Sequence, residues 1–148
     1  MAEPWTPSLE QVADHVPTRT RNAAEPGDTR LTGTFSAQTE PTDEQARRHI
    51  AAAVAEVLGA VGGSVPAAPA FLGHLASEAA SLRAAADIEL AYPNRNADAD
   101  RFAQLDQRAK DALQRLLDAV NDQGGGPEGG LLPVWSMPVP VWYGDYPL

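Results

Sequence analysis

Apolar residues recur at spacings of three and four along three long stretches of the chain, and this period constrains the fold more than any other feature. It is the repeat of one face of an α-helix. The core faces that it predicts are Ala46, Ile50, Ala53, Val54, Val57, Leu58 and Val61, then Leu72, Leu75, Ala79, Leu82 and Ala86, then Phe102, Leu105, Ala109, Ala112, Leu113, Leu116, Leu117 and Val120. We therefore expect three long helices, each on the order of 30 Å in length, packed as an antiparallel bundle.

The ends of the predicted long helices carry capping and terminating residues. Thr42 and Gln45 have the spacing of a capping box, in which each side chain accepts a hydrogen bond from the other residue's backbone. Gly62-Gly63 is predicted to end the first long helix, because glycine readily adopts the left-handed conformation that follows a helix. We place the second long helix from about Ala70 to Ala91 and the third from about Ala97 to Asp122.

The residues before these helices predict one short helix and otherwise irregular structure. The short helix runs from Leu9 to Val16, since Ser8 can cap its first turn and Pro17 ends it. The stretch from Thr18 to Asp28 has turn residues and no period, so we predict a loop there. Leu31 to Phe35 alternates as a strand does, which predicts a short extended segment.

Small side chains dominate the apolar content of the chain. Much of that content is alanine and only 6% of residues are aromatic, which favours close helix packing over a bulky β-sandwich core. We therefore predict an all-α fold: a bundle of three long helices plus a short N-terminal helix, with an extended non-helical C-terminal tail. A chain of 148 residues fits one such domain. We place the helical domain at 1–123 and the tail at 124–148.

The tail has a different composition from the helical domain. It begins with Gly124-Gly125-Gly126 and is rich in proline, which excludes a helix and favours an extended or polyproline-like course. It is also apolar, and its candidate partner-binding residues are Leu132, Trp135, Met137, Val141, Trp142, Tyr143 and Tyr146. Two alternatives remain: the tail lies in a groove of another subunit or protein, or it folds back over its own bundle. We favour the first, because a glycine hinge separates the tail from the bundle and because Trp and Tyr are enriched at binding hot spots.

The charge of the chain limits its partners. The formal net charge is −9 at pH 7, whereas proteins that hold nucleic acid need a basic surface that displaces counterions. The acidity therefore argues against a protein that binds DNA tightly. It does not argue against a protein past which DNA moves without being bound. The first residues lack the pattern of a signal peptide, and no window approaches 18 apolar residues. We expect a soluble protein made in the cytosol, with no membrane partner.

Two residues of the second long helix are candidates for ion pairing between helices or subunits. Glu89 stands seven residues after Leu82, near the apolar stripe of the helix, and a buried carboxylate there requires an arginine partner. Alternatively, Glu89 reaches solvent from the last turns of the helix. Arg83 is the second candidate, although Asp87 lies four residues later and offers it a solvated pair on its own helix.

The sequence contains no pattern that predicts an enzyme, a cofactor or a metal. His15, His49 and His74 lie on three different helices without a second ligand at metal-binding spacing. The chain has no cysteine, which excludes both a disulfide and a thiolate site. The glycine-rich run 124–130 lacks the Lys and Ser/Thr of a phosphate-binding loop.

Four segments, in order, carry a resemblance to a known family. They are Trp5 to Ala13 (WTPSLEQVA), Val16 to Thr20 (VPTRT), Leu31 to Phe35 with Thr39 to Thr42 (LTGTF and TEPT), and Leu82 to Pro93 (LRAAADIELAYP). Over about residues 5–122 the chain resembles the head-to-tail adaptor proteins of long-tailed phages that infect actinobacteria. Each segment is structural rather than catalytic, and their order and spacing together carry the resemblance.

The resemblance implies a structural virion protein and its partners. It implies a helical subunit that forms a ring, typically of twelve copies, between the portal protein and the stopper or tail completion protein. DNA would pass through the lumen without specific binding, since an acidic lumen repels phosphates. The protein would be located at the head–tail interface of the virion, and in the host cytoplasm during assembly. By the same resemblance, an extended terminal segment reaches the portal, a role that falls here to Trp135, Trp142, Tyr143 and Tyr146. The alternative function is a helical interaction module or antitoxin-like inhibitor whose tail wraps a single partner protein.

Overall fold

The structure, a computed structural model, describes residues 2–92 and 99–124, and the secondary-structure elements in that part are all helices. A short helix, α1 (Leu9–His15), and one turn of 3-10 helix (Pro17–Thr20) precede three long helices. These are α2 (Asp43–Val61), α3 (Phe71–Ala91) and α4 (Ala99–Gly124). The predicted all-α class, with one short and three long helices, is therefore confirmed. Gly124, predicted as the first residue of the non-helical tail, is instead the last residue of α4, and the rest of the predicted tail, 125–148, lies outside the described residues.

The predicted helix caps are present. The Thr42 hydroxyl accepts a hydrogen bond from the Gln45 N–H at 3.3 Å, and the Gln45 side chain accepts one from the Thr42 N–H at 2.9 Å. Ser8 caps α1 in the same way, with Gln11 as its reciprocal partner. Gly62 ends α2 with a φ of 86°, in the left-handed region that favours glycine. These boundaries were predictable because each depends on residues only three or four apart.

The central helix of the molecule is α3, which packs against α1, α2 and α4. Its buried residues lie on all sides of the helix and are mostly alanine, namely Leu72, Ala76, Ala79, Ala80, Ser81, Leu82, Ala84, Ala85, Ala86 and Ile88. Small side chains allow three neighbouring helices to approach one axis. The alanine-rich surface of α3 is therefore used within the subunit.

The outer helices bury one face each. All predicted core positions of α2 and α4 are buried or partly buried, and α4 presents a polar face to solvent. None of the helices in the described ranges is both long and apolar enough to cross a membrane.

The prediction of a loop from Thr18 onward was wrong for its first residues. They belong to the 3-10 turn Pro17–Thr20, in which the Thr20 hydroxyl donates to the Pro17 carbonyl at 2.7 Å. Proline at the start of the turn has its φ already set near the helical value. A single turn of this kind shows no apolar period, so the pattern could not predict it.

The predicted extended segment at Leu31–Phe35 does not form a strand. Its one ladder contact is an isolated antiparallel bridge between Leu31 and Arg21. Gly33, with a φ of 78°, turns the chain away from an extended course. The segment is held instead by Thr20, whose carbonyl accepts hydrogen bonds from the Thr32 N–H at 3.1 Å and from the Thr32 hydroxyl at 2.8 Å.

The N-terminal segment packs onto the bundle through an aromatic side chain. Trp5 is only 8% exposed and belongs to the same core as Phe35 and the three long helices. A Cβ placed on Gly73 would lie 3.7 Å from the Trp5 Cβ, so this part of α3 is in van der Waals contact with the segment. Trp5 thereby positions the residues that precede α1 beside α2.

Candidate partner-binding surfaces

An open groove runs between the N-terminal segment, the start of α1 and one face of α2. Its volume is about 700 Å³, within the range of about 300 to 1,000 Å³ that is usual for ligand-binding pockets. Its apolar lining includes Pro7, Leu9, Ile50, Ala51, Val54, Ala55 and Leu58. The face of α2 that lines the groove is in part small and exposed, since Ala51 and Ala55 both reach solvent. The groove can therefore accept large apolar side chains from outside.

The groove also has charged residues in its lining. Glu3, Glu10 and Arg47 line it together with the apolar residues, and Arg47 is exposed. Arg47 forms no ion pair within the described part of the chain, whereas the next residue, Arg48, pairs with Glu44 at 2.7 Å. The groove thus combines apolar and charged residues, and both kinds are found in protein-binding surfaces.

Glu89 lies in a buried ion pair with an arginine from the N-terminal part of the chain. Its Oε2 atom accepts a hydrogen bond from Nη2 of Arg19 at 2.8 Å, and the side chains are 10% and 7% exposed. Nε of Arg101, at the start of α4, lies 3.6 Å from the other carboxylate oxygen. Of the two alternatives for Glu89, the structure contains the buried carboxylate paired with an arginine of another element. The pair joins the 3-10 turn to the end of α3.

Arg83 connects all three long helices. Its guanidinium lies 3.0 Å from a carboxylate oxygen of Glu56 on α2, 3.3 Å from Asp87 on its own helix and 2.9 Å from Asp106 on α4. The Arg83 side chain is 30% exposed, so the expected solvated pair with Asp87 is only one part of a cluster between helices. Lys110, 2.6 Å from Asp106, donates the hydrogen bond that chiefly lowers the pKa of that carboxyl. The cluster ties α4 to the other two helices.

His15 is half-buried beside Ser81 of α3. The His15 Nε2 and Ser81 Oγ atoms are 3.2 Å apart, and the Ser81 Oγ atom also lies 2.9 Å from the Glu78 carbonyl oxygen, to which it can donate. Which of the two side chains donates to the other depends on the tautomer of the His15 ring. Burial, followed by the charge of Arg108, lowers the pKa of His15 below its ordinary value of 6.5.

The three histidines that were considered as metal ligands do not lie together in one site. His15 and His74 line the same shallow pocket, but His49 lies elsewhere, with its ring against Tyr92. Within residues 2–92 and 99–124, no group of three or more His, Asp or Glu side chains is arranged to hold a metal ion.

The predicted tail contacts lie outside the described residues. They are Leu132, Trp135, Met137, Val141, Trp142, Tyr143 and Tyr146. Neither the groove nor the roles of Arg19 and Arg101 are predicted by a sequence pattern. Arg19 was present in the VPTRT segment, but its partner is 70 residues away and no local pattern links them.

Comparisons with known proteins identify no relative. No family model matches the chain, and neither the curated proteins nor the solved structures contain a match.

Proposed function

We propose that the chain is a structural virion protein: a ring-forming adaptor in the neck of a long-tailed phage. It lies between the portal protein and the stopper or tail completion protein, has no enzymatic activity, and lets DNA pass without specific binding. The proposal rests on the resemblance of four ordered segments to such adaptors and on one structural observation that supports it.

That observation is the contact of the other three segments with the second, whose residues Pro17–Thr20 form the 3-10 turn. The first segment adjoins the second in the chain, and the Val16 N–H donates to the Ala13 carbonyl at 3.0 Å. The third meets the turn through the hydrogen bonds between Thr32 and Thr20, and the fourth through the ion pair between Glu89 and Arg19. Residues of all four segments therefore belong to one contact network.

The surfaces that remain outside the bundle are suited to a ring. Because most of α3 is covered by its own chain, contacts between neighbouring copies are left mainly to the N-terminal segment, α1, the outer faces of α2 and α4, and the tail. A net charge of −9 per copy would give a ring a strongly acidic surface. Such a surface repels phosphates, so DNA would slide past it rather than bind.

The C-terminal tail is proposed to provide the contact with the portal. Trp135, Trp142, Tyr143 and Tyr146 are the residues assigned to this role. Aromatic side chains of this size each contribute strongly when they are buried in a pocket of a partner.

Electron microscopy of the purified protein mixed with its portal tests the proposal. We expect a second ring stacked on the portal ring, with the same symmetry axis. A chain that binds neither the portal nor any other neck protein would contradict the adaptor function. A one-to-one complex with a single enzyme, found instead of a ring, would establish the alternative of a helical inhibitor.

A further inference from the structure

We propose that the groove between the N-terminal segment and α2 binds the proximal part of the C-terminal tail, Leu132 to Val141, of a second copy of this chain. This contact would link neighbouring subunits head to tail. The last aromatic residues, Trp142, Tyr143 and Tyr146, remain available to the portal. The inference extends the proposed function by naming a contact between copies, and it can be tested without any phage protein.

The groove fits an apolar, extended segment. It is open along one side, its lining is mainly apolar, and Ala51 and Ala55 leave room above the α2 backbone. At about 700 Å³ it can hold several large side chains. An apolar peptide loses little hydration when it enters a mainly apolar groove, whereas a charged peptide must give up much more.

The tail has the matching chemistry. The chain carries a charge of −9, yet residues 129–144 contain no Asp, Glu, Lys or Arg. The prolines favour a polyproline II helix, which has three residues per turn. In that conformation Leu132, Trp135 and Val141, whose numbers differ by multiples of three, would lie along one side. Because this conformation is largely preformed, such a segment loses little conformational entropy when it binds.

The arrangement of the helices favours the tail of another copy. The tail follows α4, which packs against α3 and α2 and reaches only the end of α1, where the Arg101 side chain donates to the His15 carbonyl at 3.5 Å. The groove, in contrast, is formed by the start of α1 and by a side of α2 that does not face α4. A tail from the same chain would have to pass around α2 to enter it. A head-to-tail contact between copies can repeat and close into a ring, whereas a tail bound to its own groove cannot.

Sedimentation velocity of full-length variants tests the contact in the absence of other proteins. We expect the unaltered chain to self-associate. Trp135→Ala should weaken association at least about tenfold, which corresponds to about 1.4 kcal/mol. Ala55→Glu should have a similar effect by placing a charge in the groove, and because Ala55 is exposed the fold should persist, as circular dichroism can verify. Ala52→Glu is the matched control, since Ala52 is exposed on the same helix but does not line the groove.

Mixing the two defective variants gives a sharper test. Trp135→Ala has an intact groove, and Ala55→Glu has an intact tail, so one good contact remains possible between them. We expect each variant alone to associate at least about tenfold more weakly than the unaltered chain, and the mixture to form dimers. Failure of the mixture to form dimers, or equal association of all variants, would overturn the inference.

Cross-linking distinguishes the two possible sources of the tail. The chain contains no cysteine, so the double variant Ala55→Cys, Ser136→Cys has only the two introduced thiols. Under oxidation we expect covalent dimers and larger products, and none from the control pair Ala52→Cys, Ser136→Cys. An internal disulfide in a monomer would show that the tail occupies its own groove and would overturn the inference. Binding to the portal is measured separately, so a chain that stacks on the portal without this cross-link would overturn the inference and leave the proposed function intact.

Discussion

Arg19 and Glu89 lie 70 residues apart in the chain, yet their side chains meet in the interior at 2.8 Å. The pair fastens the 3-10 turn to the end of α3, and Arg101 brings the start of α4 to the same carboxylate. Taking two charges out of water is costly, so the pair contributes little net stability compared with two well-packed apolar side chains of similar volume. Removing only one partner is a different matter, because the other charge is left buried without compensation.

Replacing Glu89 by alanine should therefore destabilise the protein strongly. We expect Glu89→Ala to lower the free energy of unfolding in urea by about 3 to 5 kcal/mol, because Arg19 is left unpaired at 7% exposure. The control is Glu44→Ala, which breaks an ion pair whose two side chains are about three-quarters exposed, 75% and 74%, and should cost only about 0.5 kcal/mol or less. Equal losses in the two variants would show that Arg19 and Glu89 are not a buried pair in solution.

Loss of the Arg83 guanidinium should weaken the attachment of α4. We expect Arg83→Met to cost about 1 to 2 kcal/mol, since three partly exposed pairs are lost while the aliphatic stem is kept. A double-mutant cycle with Asp106→Asn should give a coupling energy of about 0.5 kcal/mol or more, because the two groups are 2.9 Å apart. Strictly additive losses would contradict a direct interaction.

His15 should make stability depend on pH in a defined direction. Its pKa in the folded protein is below the ordinary 6.5, so the unfolded chain binds the proton more tightly. The contribution of His15 is fully present above about pH 6.5 and is lost as the pH falls through that value towards the lower pKa of the folded state. The measurement is the urea midpoint of the unaltered chain and of His15→Gln between pH 8 and pH 5. The variant should lose less stability on acidification, and an identical pH dependence would exclude the effect.

A larger side chain inside α3 should disturb the packing of all three neighbours. Ala84 is fully buried, so Ala84→Leu should destabilise the protein by about 1 to 3 kcal/mol through overpacking. Ala103 is exposed on α4, and Ala103→Leu should change stability by only about 0.5 kcal/mol. Thermal unfolding of both variants measures the difference, and tolerance of leucine at position 84 would indicate a looser bundle than the one described.

Deletion of residues 125–148 should separate folding from binding. Every helix of the described ranges ends by Gly124, so we expect the far-ultraviolet circular dichroism to change only by the contribution of the removed residues. Docking to the portal should be abolished. Loss of helical signal would instead favour a tail that folds back over its own bundle.

The sequence predicted well what depends on neighbours in the chain. The capping boxes and Gly62 define helix ends from contacts over three or four residues, and they were found where expected. The apolar periods of α2 and α4 also identified the correct core faces, because each of these helices buries one side.

Features that depend on distant residues were not predictable in the same way. The apolar stripe predicted for α3, from Leu72 to Ala86, marks only one side of the helix. Alanine on the other sides is compatible with packing there, but which helices surround α3 depends on the path of the chain. Glu89 was predicted as a candidate for a buried ion pair. Arg19 is its partner because the 3-10 turn that begins at Pro17 brings Arg19 to the end of α3, which no local pattern indicates. The groove depends on Trp5 holding the N-terminal segment against the bundle, which no local pattern indicates.

The central position of α3 has a consequence for how a protein of this kind can diverge. A substitution at a buried position of α3 must fit against the neighbouring helices, whereas one on the outer faces of α2 or α4 has only solvent or a neighbouring molecule to satisfy. The surfaces that choose a neighbour can therefore change quickly while the interior stays nearly fixed. Two such chains could keep the same bundle and still assemble with different partners, long after their overall sequences have ceased to look alike.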